Sequence, residues 1–290
     1  MSGQPRLSFD TSGVNALADS PDCKALLAGI RTGYFTRITF PSVAETVATS
    51  DASRRNRLFD ILTALRLNGE CLEAHQRLLT QLAQNYEKFG ESRWATLNLH
   101  FEQCEVSIAR HELSDVESKE EREFAPEVEK QFASLFSDTR PKFEEVFADG
   151  TPRPTSADEL LAHLNGHGGA FWSIGAGLYE RAAGRRPTEE QVRAFAEECP
   201  PFMALMLGLV HALFEWAIRE KQAKKEKRVG RMDLFCSMYL PYCDIYITND
   251  DEQRRCLIEI ATAAKLPVEI ISFNAFSSRL MPLAHLTVGV

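Results

Sequence analysis

Short apolar runs that end in an acidic residue, with helix-like stretches between them, constrain this chain more than any other feature. Leu7 and Phe9 belong to a strand-like run that ends at Asp10. Residues 35–40 make a second run, and Glu45 follows in a helix whose start suits Pro41 and Ser42. Residues 244–248 make a third, ending near Asp250, and 268–273 a fourth, largely apolar one. Apolar strands of that kind suit a parallel sheet covered on both faces. Open sheets of this class collect loop residues at the carboxyl ends of their strands. Asp10 and Asp250 are therefore expected on one rim, where Glu45 and Asp233, each carried on a helix start, can join them. Four carboxylates in one cleft repel each other unless a cation sits among them. All-oxygen ligation suits Mg²⁺ or Mn²⁺, and such an ion can activate water against a phosphodiester.

The α/β texture occupies both ends of the chain. Residues 1–67 read β-α-β-α, with helices predicted over 15–30 and 54–67 from apolar residues at helical spacing. Residues 226–290 return to that texture, with a helix predicted over 253–265. Between them, 68–225 reads as an all-helical insertion. The resulting expectation is an α/β fold with a parallel central sheet, interrupted by helices. Within the insertion, 102–149 carries fourteen Asp/Glu against six Lys/Arg. That excess makes it a solvated helical face or a partner-binding surface. The run 219–231 is the reverse, with seven Lys/Arg and two Glu just before Asp233. A phosphate chain approaching an acidic cluster needs cations nearby, so Lys224, Lys225, Lys227, Arg228 and Arg231 are the candidate nucleic-acid contacts.

Bulk properties exclude several classes. A net charge of −8 argues against a surface coated in basic residues, though not against a local basic groove. The seven cysteines form no C-x-x-C pair and read as reduced thiols. The first twelve residues are polar and interrupted by Pro5 and Asp10, unlike a signal peptide, so a cytoplasmic location is expected. The most apolar run, 202–218, contains His211 and Glu215 and reads as a buried core helix, with no membrane partner. His163 and His167 lack the glutamate of a zinc motif, and Gly175 and Gly177 have no P-loop successor.

Taken in order, Phe9-Asp10-Thr11, Pro41-Ser42-Val43-Ala44-Glu45, Asp233-Leu234-Phe235 and Asp244 through Asp250 resemble the motifs of PIN-domain nucleases. The closing run 268–274 is similar to that family's last strand, and the resemblance covers about 1–65 and 228–276. It implies a three-layer α/β/α fold. It further implies that Asp10, Glu45, Asp233 and Asp250 are both metal ligands and catalytic groups, holding Mg²⁺ or Mn²⁺. Thr11, Thr248 and Asn249 would then support them by hydrogen bonding. The implied activity is metal-dependent hydrolysis of RNA, single-stranded or structured, less often DNA. An inhibitory antitoxin or a second copy of the chain are the protein partners such an enzyme takes, as a toxin or defence effector. A PIN-like module that binds nucleic acid or protein without cutting is the alternative. Phosphohydrolases of the haloacid-dehalogenase type also begin with a strand ending in Asp, but require a second Asp where this chain has Ser12.

Overall fold

The computed structural model describes residues 3–97, 119, 144–145, 147–148, 150–166, 169–218 and 233–287. Its centre is a sheet of five parallel strands: β1 (Arg6–Phe9), β2 (Phe35–Ile38), β3 (Gly69–Cys71), β4 (Ile245–Ile247) and β5 (Glu269–Ile271), in the order β3-β2-β1-β4-β5. The register pairs Phe9 with Ile38 on one side and with Ile247 on the other. From β1 the chain steps outward to β2 and β3, then returns across β1 to β4. This reversal makes the carboxyl ends of β1 and β4 the place where flanking loops part and leave a crevice.

Side chains alternate across the sheet and feed two apolar cores. Leu7, Phe9, Ile38 and Ile247 pack with α1 (Thr11–Asp19), α2 (Cys23–Gly33), α3 (Phe40–Ala48), α4 (Ala52–Arg66) and α11 (Phe273–Thr287). Tyr246 and Ile270 face the other core. That one is built by α5 (His75–Phe89), α6 (Ala157–Gly166), α7 (Ala170–Ala183), α8 (Glu189–Glu198), α9 (Pro200–Leu213) and α10 (Asp251–Ala263). Leu7 and Leu17 are fully buried, each worth ~1.5–3 kcal/mol in removed apolar surface. Helices α5 to α9 all fall in the connection from β3 to β4.

Two elements differ from the sequence reading. The helix expected over 15–30 is two helices, because Ser20 before Pro21 takes an extended backbone (φ −65°, ψ 132°), the conformation proline imposes on its predecessor. The segment read as helical from 68 onward begins with a strand, β3. Its Gly-Glu-Cys sequence has no apolar alternation, and it is held by ladder pairing with β2 and an Arg37–Glu70 ion pair at 3.1 Å. The core helix expected over 202–218 is found as α9, which runs into a π-turn (Phe214–Ile218). Among the described residues no helix is long and apolar enough to cross a membrane. Cys23, Cys71, Cys199, Cys236, Cys243 and Cys256 are free thiols.

The segment before β4 is a ten-residue 3₁₀ helix, Asp233–Tyr242, long for that geometry. Every residue after Asp233 in it is buried. Tyr239 and Tyr242 are therefore core residues. The segment lies so close to α9 that a Cβ on Gly208 would stand 2.6 Å from the Leu234 carbonyl oxygen and from Ser237 Oγ. Ser237 Oγ donates to the Ala204 carbonyl at 2.9 Å. Gly208→Ala is expected to cost ~1–3 kcal/mol by overpacking against backbone that cannot yield, read as a lower urea midpoint.

Candidate functional site

Asp10 follows β1 directly and continues the ladder, its N–H donating to the Ile247 carbonyl at 3.0 Å. Its carboxylate caps α1, accepting from the Gly13 N–H at 2.6 Å. Ser12 Oγ reaches both carboxylate oxygens at 2.9 Å, and Thr248 Oγ1 donates to Oδ2 at 2.7 Å. Gly13 has to lack a side chain here, since a Cβ would lie 2.9 Å from the Ile247 carbonyl oxygen and 3.2 Å from Asp10 Oδ1. Asp10 is only 7% exposed. That burial is the main cause that raises its pKa to about 6, opposed by the bonds from Thr248, Gly13 and Ser12 and reinforced by the charge of Asp233.

Glu45 sits on α3, the helix after β2. The residue is exposed, yet its carboxyl is crowded. Loss of water around it is the largest cause raising its pKa to about 7; a hydrogen bond from Thr11 opposes this, while Asp233 and Asp10 add to it. Solvent reaching Glu45 screens part of that cost, so the energetic consequence is greatest for Asp10. Asp233 opens the 3₁₀ segment and its charge acts on both others. Three carboxylates from three separate segments thus lie within electrostatic range of one another near the carboxyl end of β1.

Asp250 stands on the same rim as the N-cap of α10, accepting from the Gln253 N–H at 2.9 Å, and is exposed. The charge of Asp233 acts on Asp10 and Glu45, and that of Asp10 on Glu45; Asp250 joins the same network through its backbone N–H, which donates to Thr248 Oγ1 at 3.1 Å. Asp251 pairs with Arg254 on the surface. Asp244, at the opposite end of β4, bonds to the Arg6 backbone and guanidinium at 2.7 Å.

Among the expected supporting residues, Thr248 donates to Asp10, and Thr11 stands near enough to Glu45 to oppose the rise in its pKa. Asn249 contributes through its backbone N–H, which donates to Ser12 Oγ at 2.7 Å. Lys224, Lys225, Lys227, Arg228 and Arg231 lie outside the described residues, as do His167 and most of the acidic run 102–149.

Sequence reasoning missed two members of this network. Ser12 entered only as the absence of an aspartate. Gln253, 3% exposed, bonds Thr248 through Oε1 at 2.8 Å and the Asp233 carbonyl through Nε2 at 3.3 Å, tying the Asp10 side of the crevice to the Asp233 side. The available signal was its position as the third residue after a capping Asp.

Proton counting in this network is informative. Thr248 has one hydroxyl proton, but its oxygen lies against two acceptors, Asp10 Oδ2 at 2.7 Å and Gln253 Oε1 at 2.8 Å. With Asp10 protonated, Asp10 donates to Thr248 and Thr248 to Gln253, and both contacts are satisfied. With Asp10 ionised, one contact is lone pair against lone pair. The geometry therefore agrees with a carboxyl that holds its proton above the usual range.

A second rim feature lies beyond β3. His75, the first residue of α5, stacks on Phe235 with ring centroids 5.5 Å apart and planes 12° from parallel. Burial lowers its pKa to about 4, so it is neutral at pH 7.

Carboxylates alone form the donor set of Asp10, Glu45 and Asp233, which fits a hard divalent cation. Among the described residues no three His, Cys, Asp or Glu side chains are gathered tightly enough to form a ready-made metal cage. Neither family models, curated proteins nor solved structures provide a match to this chain.

Proposed function

We propose that this chain is a PIN-like, metal-dependent endoribonuclease. The observation that carries the reading is the electrostatic coupling of Asp10, Glu45 and Asp233 near the carboxyl ends of β1 and β4, where Asp10 and Glu45 are held above the ordinary carboxylate range by burial and by the charge of Asp233. Such a cluster is costly to the fold without a partner cation, and sites of this kind are where perturbed groups concentrate. Asp10, Glu45 and Asp233 would hold Mg²⁺ or Mn²⁺, which when bound supplies positive charge for a phosphodiester and activates water for its hydrolysis.

The protein's own groups do the positioning. Ser12, Gly13 and Thr248 fix both oxygens of Asp10. Thr11 orients Glu45. Gln253 anchors the Asp233 backbone. The basic run that ends two residues before Asp233 would carry the substrate's phosphates toward this rim.

Labelled single-stranded RNA and DNA incubated with Mg²⁺ or Mn²⁺ test the reading. Wild type is expected to cut RNA in a metal-dependent way. Asp250→Asn is expected to lose less activity than Asp10→Asn, because asparagine caps a helix as well as aspartate does and the other three carboxylates remain. Absence of metal-dependent cutting by wild type would overturn the nuclease in favour of a module that binds without cleaving.

A further inference from the structure

The buried stripe of α10 begins with a residue out of keeping with the rest. Gln253, Cys256, Leu257 and Ile260 follow one another at helical spacing and are all buried. Thiol and apolar side chains fill the last three places, and an apolar one in the first would pack there without the cost of desolvating an amide. Gln253 is nonetheless 3% exposed. Both ends of its amide are used. Its Oε1 accepts from Thr248 Oγ1 at 2.8 Å, and its Nε2 donates to the Asp233 carbonyl at 3.3 Å. A carbonyl only accepts, so the amide nitrogen has to face Asp233 and the amide oxygen Thr248.

One side chain thereby bears on three of the acids. Thr248 Oγ1, against which the amide oxygen rests, stands 2.7 Å from Asp10 Oδ2 and accepts from the Asp250 N–H at 3.1 Å. The Gln253 N–H donates to Asp250 Oδ1 at 2.9 Å. The amide nitrogen holds the backbone of Asp233. Further along the 3₁₀ segment, Ser237 is fixed to the Ala204 carbonyl and Tyr239 to the Glu73 carbonyl at 3.0 Å; Gln253 acts at the end that carries the acid. It does so from a thirteen-residue helix packed into the core, the kind of rigid support that keeps a ligand group in place.

We infer that Gln253 is a positioning residue for a divalent cation at this rim: its amide sets the separation between Asp10 and Asp233, and with it the affinity of the ion they would share. The inference rests on the reading of those two carboxylates as metal ligands. Length and chemistry are both required of the side chain. Methionine matches glutamine in length but brings no N–H donor and only a weak acceptor. Asparagine keeps the amide but is one methylene shorter and cannot span from Thr248 to the Asp233 carbonyl.

Electron paramagnetic resonance of Mn²⁺ added to the full chain at pH 8 is the test, since free and bound ion give different signals. The component that matters is the Mn²⁺ bound by wild type and lost in Asp10→Asn. Gln253→Met and Gln253→Asn are each expected to raise its dissociation constant about tenfold or more, as removal of a group behind a metal ligand does. The two disturb the site differently, so either one decides the question should the other not fold. Leu160→Ala removes buried bulk from α6, which carries none of these acids; it is expected to lower stability and leave the dissociation constant unchanged. Affinity unchanged in a folded Gln253 variant, or lowered as much by Leu160→Ala, would overturn the inference and leave the metal site standing. Absence of any Asp10-dependent Mn²⁺ binding in wild type would overturn the reading of the site itself, and the inference with it.

Discussion

Asp10→Asn should abolish cleavage, by more than the ~10–100-fold typical of losing a group that merely supports a metal ligand, and yet make the metal-free protein more stable at pH 7.5. The two effects have one cause. In the folded chain the Asp10 pKa is raised to about 6 from 3.8, so ionising it above that pH destabilises the fold by on the order of 2–3 kcal/mol. Asparagine carries no charge, and its amide reproduces the protonated pattern: its NH₂ donates to Thr248, Thr248 donates to Gln253, and its oxygen accepts from Gly13. The thermal midpoint without metal should rise by about 2–4 °C for each kcal/mol recovered. A variant that loses cleavage and stability together would instead make Asp10 a purely structural cap.

Stabilisation by Mn²⁺ should be large at pH 8 and absent by pH 5. A cation at this rim competes with protons on Asp10, with a pKa raised to about 6, and on Glu45, raised to about 7. Both carboxyls have folded pKa values above their unfolded ones, so acid favours their folded, protonated forms and disfavours the ion. Below pH 6 two protons compete, and the apparent affinity should fall about 100-fold per pH unit. With Mn²⁺ at a hundred times its dissociation constant the gain at pH 8 is ~2.7 kcal/mol, which differential scanning calorimetry resolves. His75 and His211 supply a contrasting limb. Their folded pKa values are lowered to about 4 from 6.5, so their contribution is present above pH 6.5 and lost as pH falls toward 4. That loss is the same with and without Mn²⁺ and cancels in the difference. A Mn²⁺ effect independent of pH from 5 to 8, or one retained in Asp10→Asn, would place the ion elsewhere.

The parts of this architecture that could be read from sequence are those where one residue type has one strong reason to be where it is. Asp10 and Asp250 end strand-like runs, and the parallel sheet that follows from those runs is the one observed. What could not be read depends on neighbours far away in the chain. Gly69–Cys71 becomes a strand because β2 offers it an edge. Ser12 and Gln253 are ordinary polar residues until Thr248 is brought between them, 236 and 5 positions away. The difference in burial between Asp10 and Asp250 is likewise invisible in a spacing. Both aspartates cap a helix through the N–H three residues on, and what sets them apart is burial, with Asp10 7% exposed and Asp250 exposed.

The order of the strands has a consequence for how the protein is made. β1, which leads into Asp10, is made more than two hundred residues before its inner neighbour β4. Thr248 and Gln253, which fix Asp10, come after Asp233, the last of the three coupled acids. Every truncated product of a stalled or interrupted translation that ends before β4 therefore lacks the crevice altogether. The three coupled acids are thus all made before the pairing that fixes Asp10 can form.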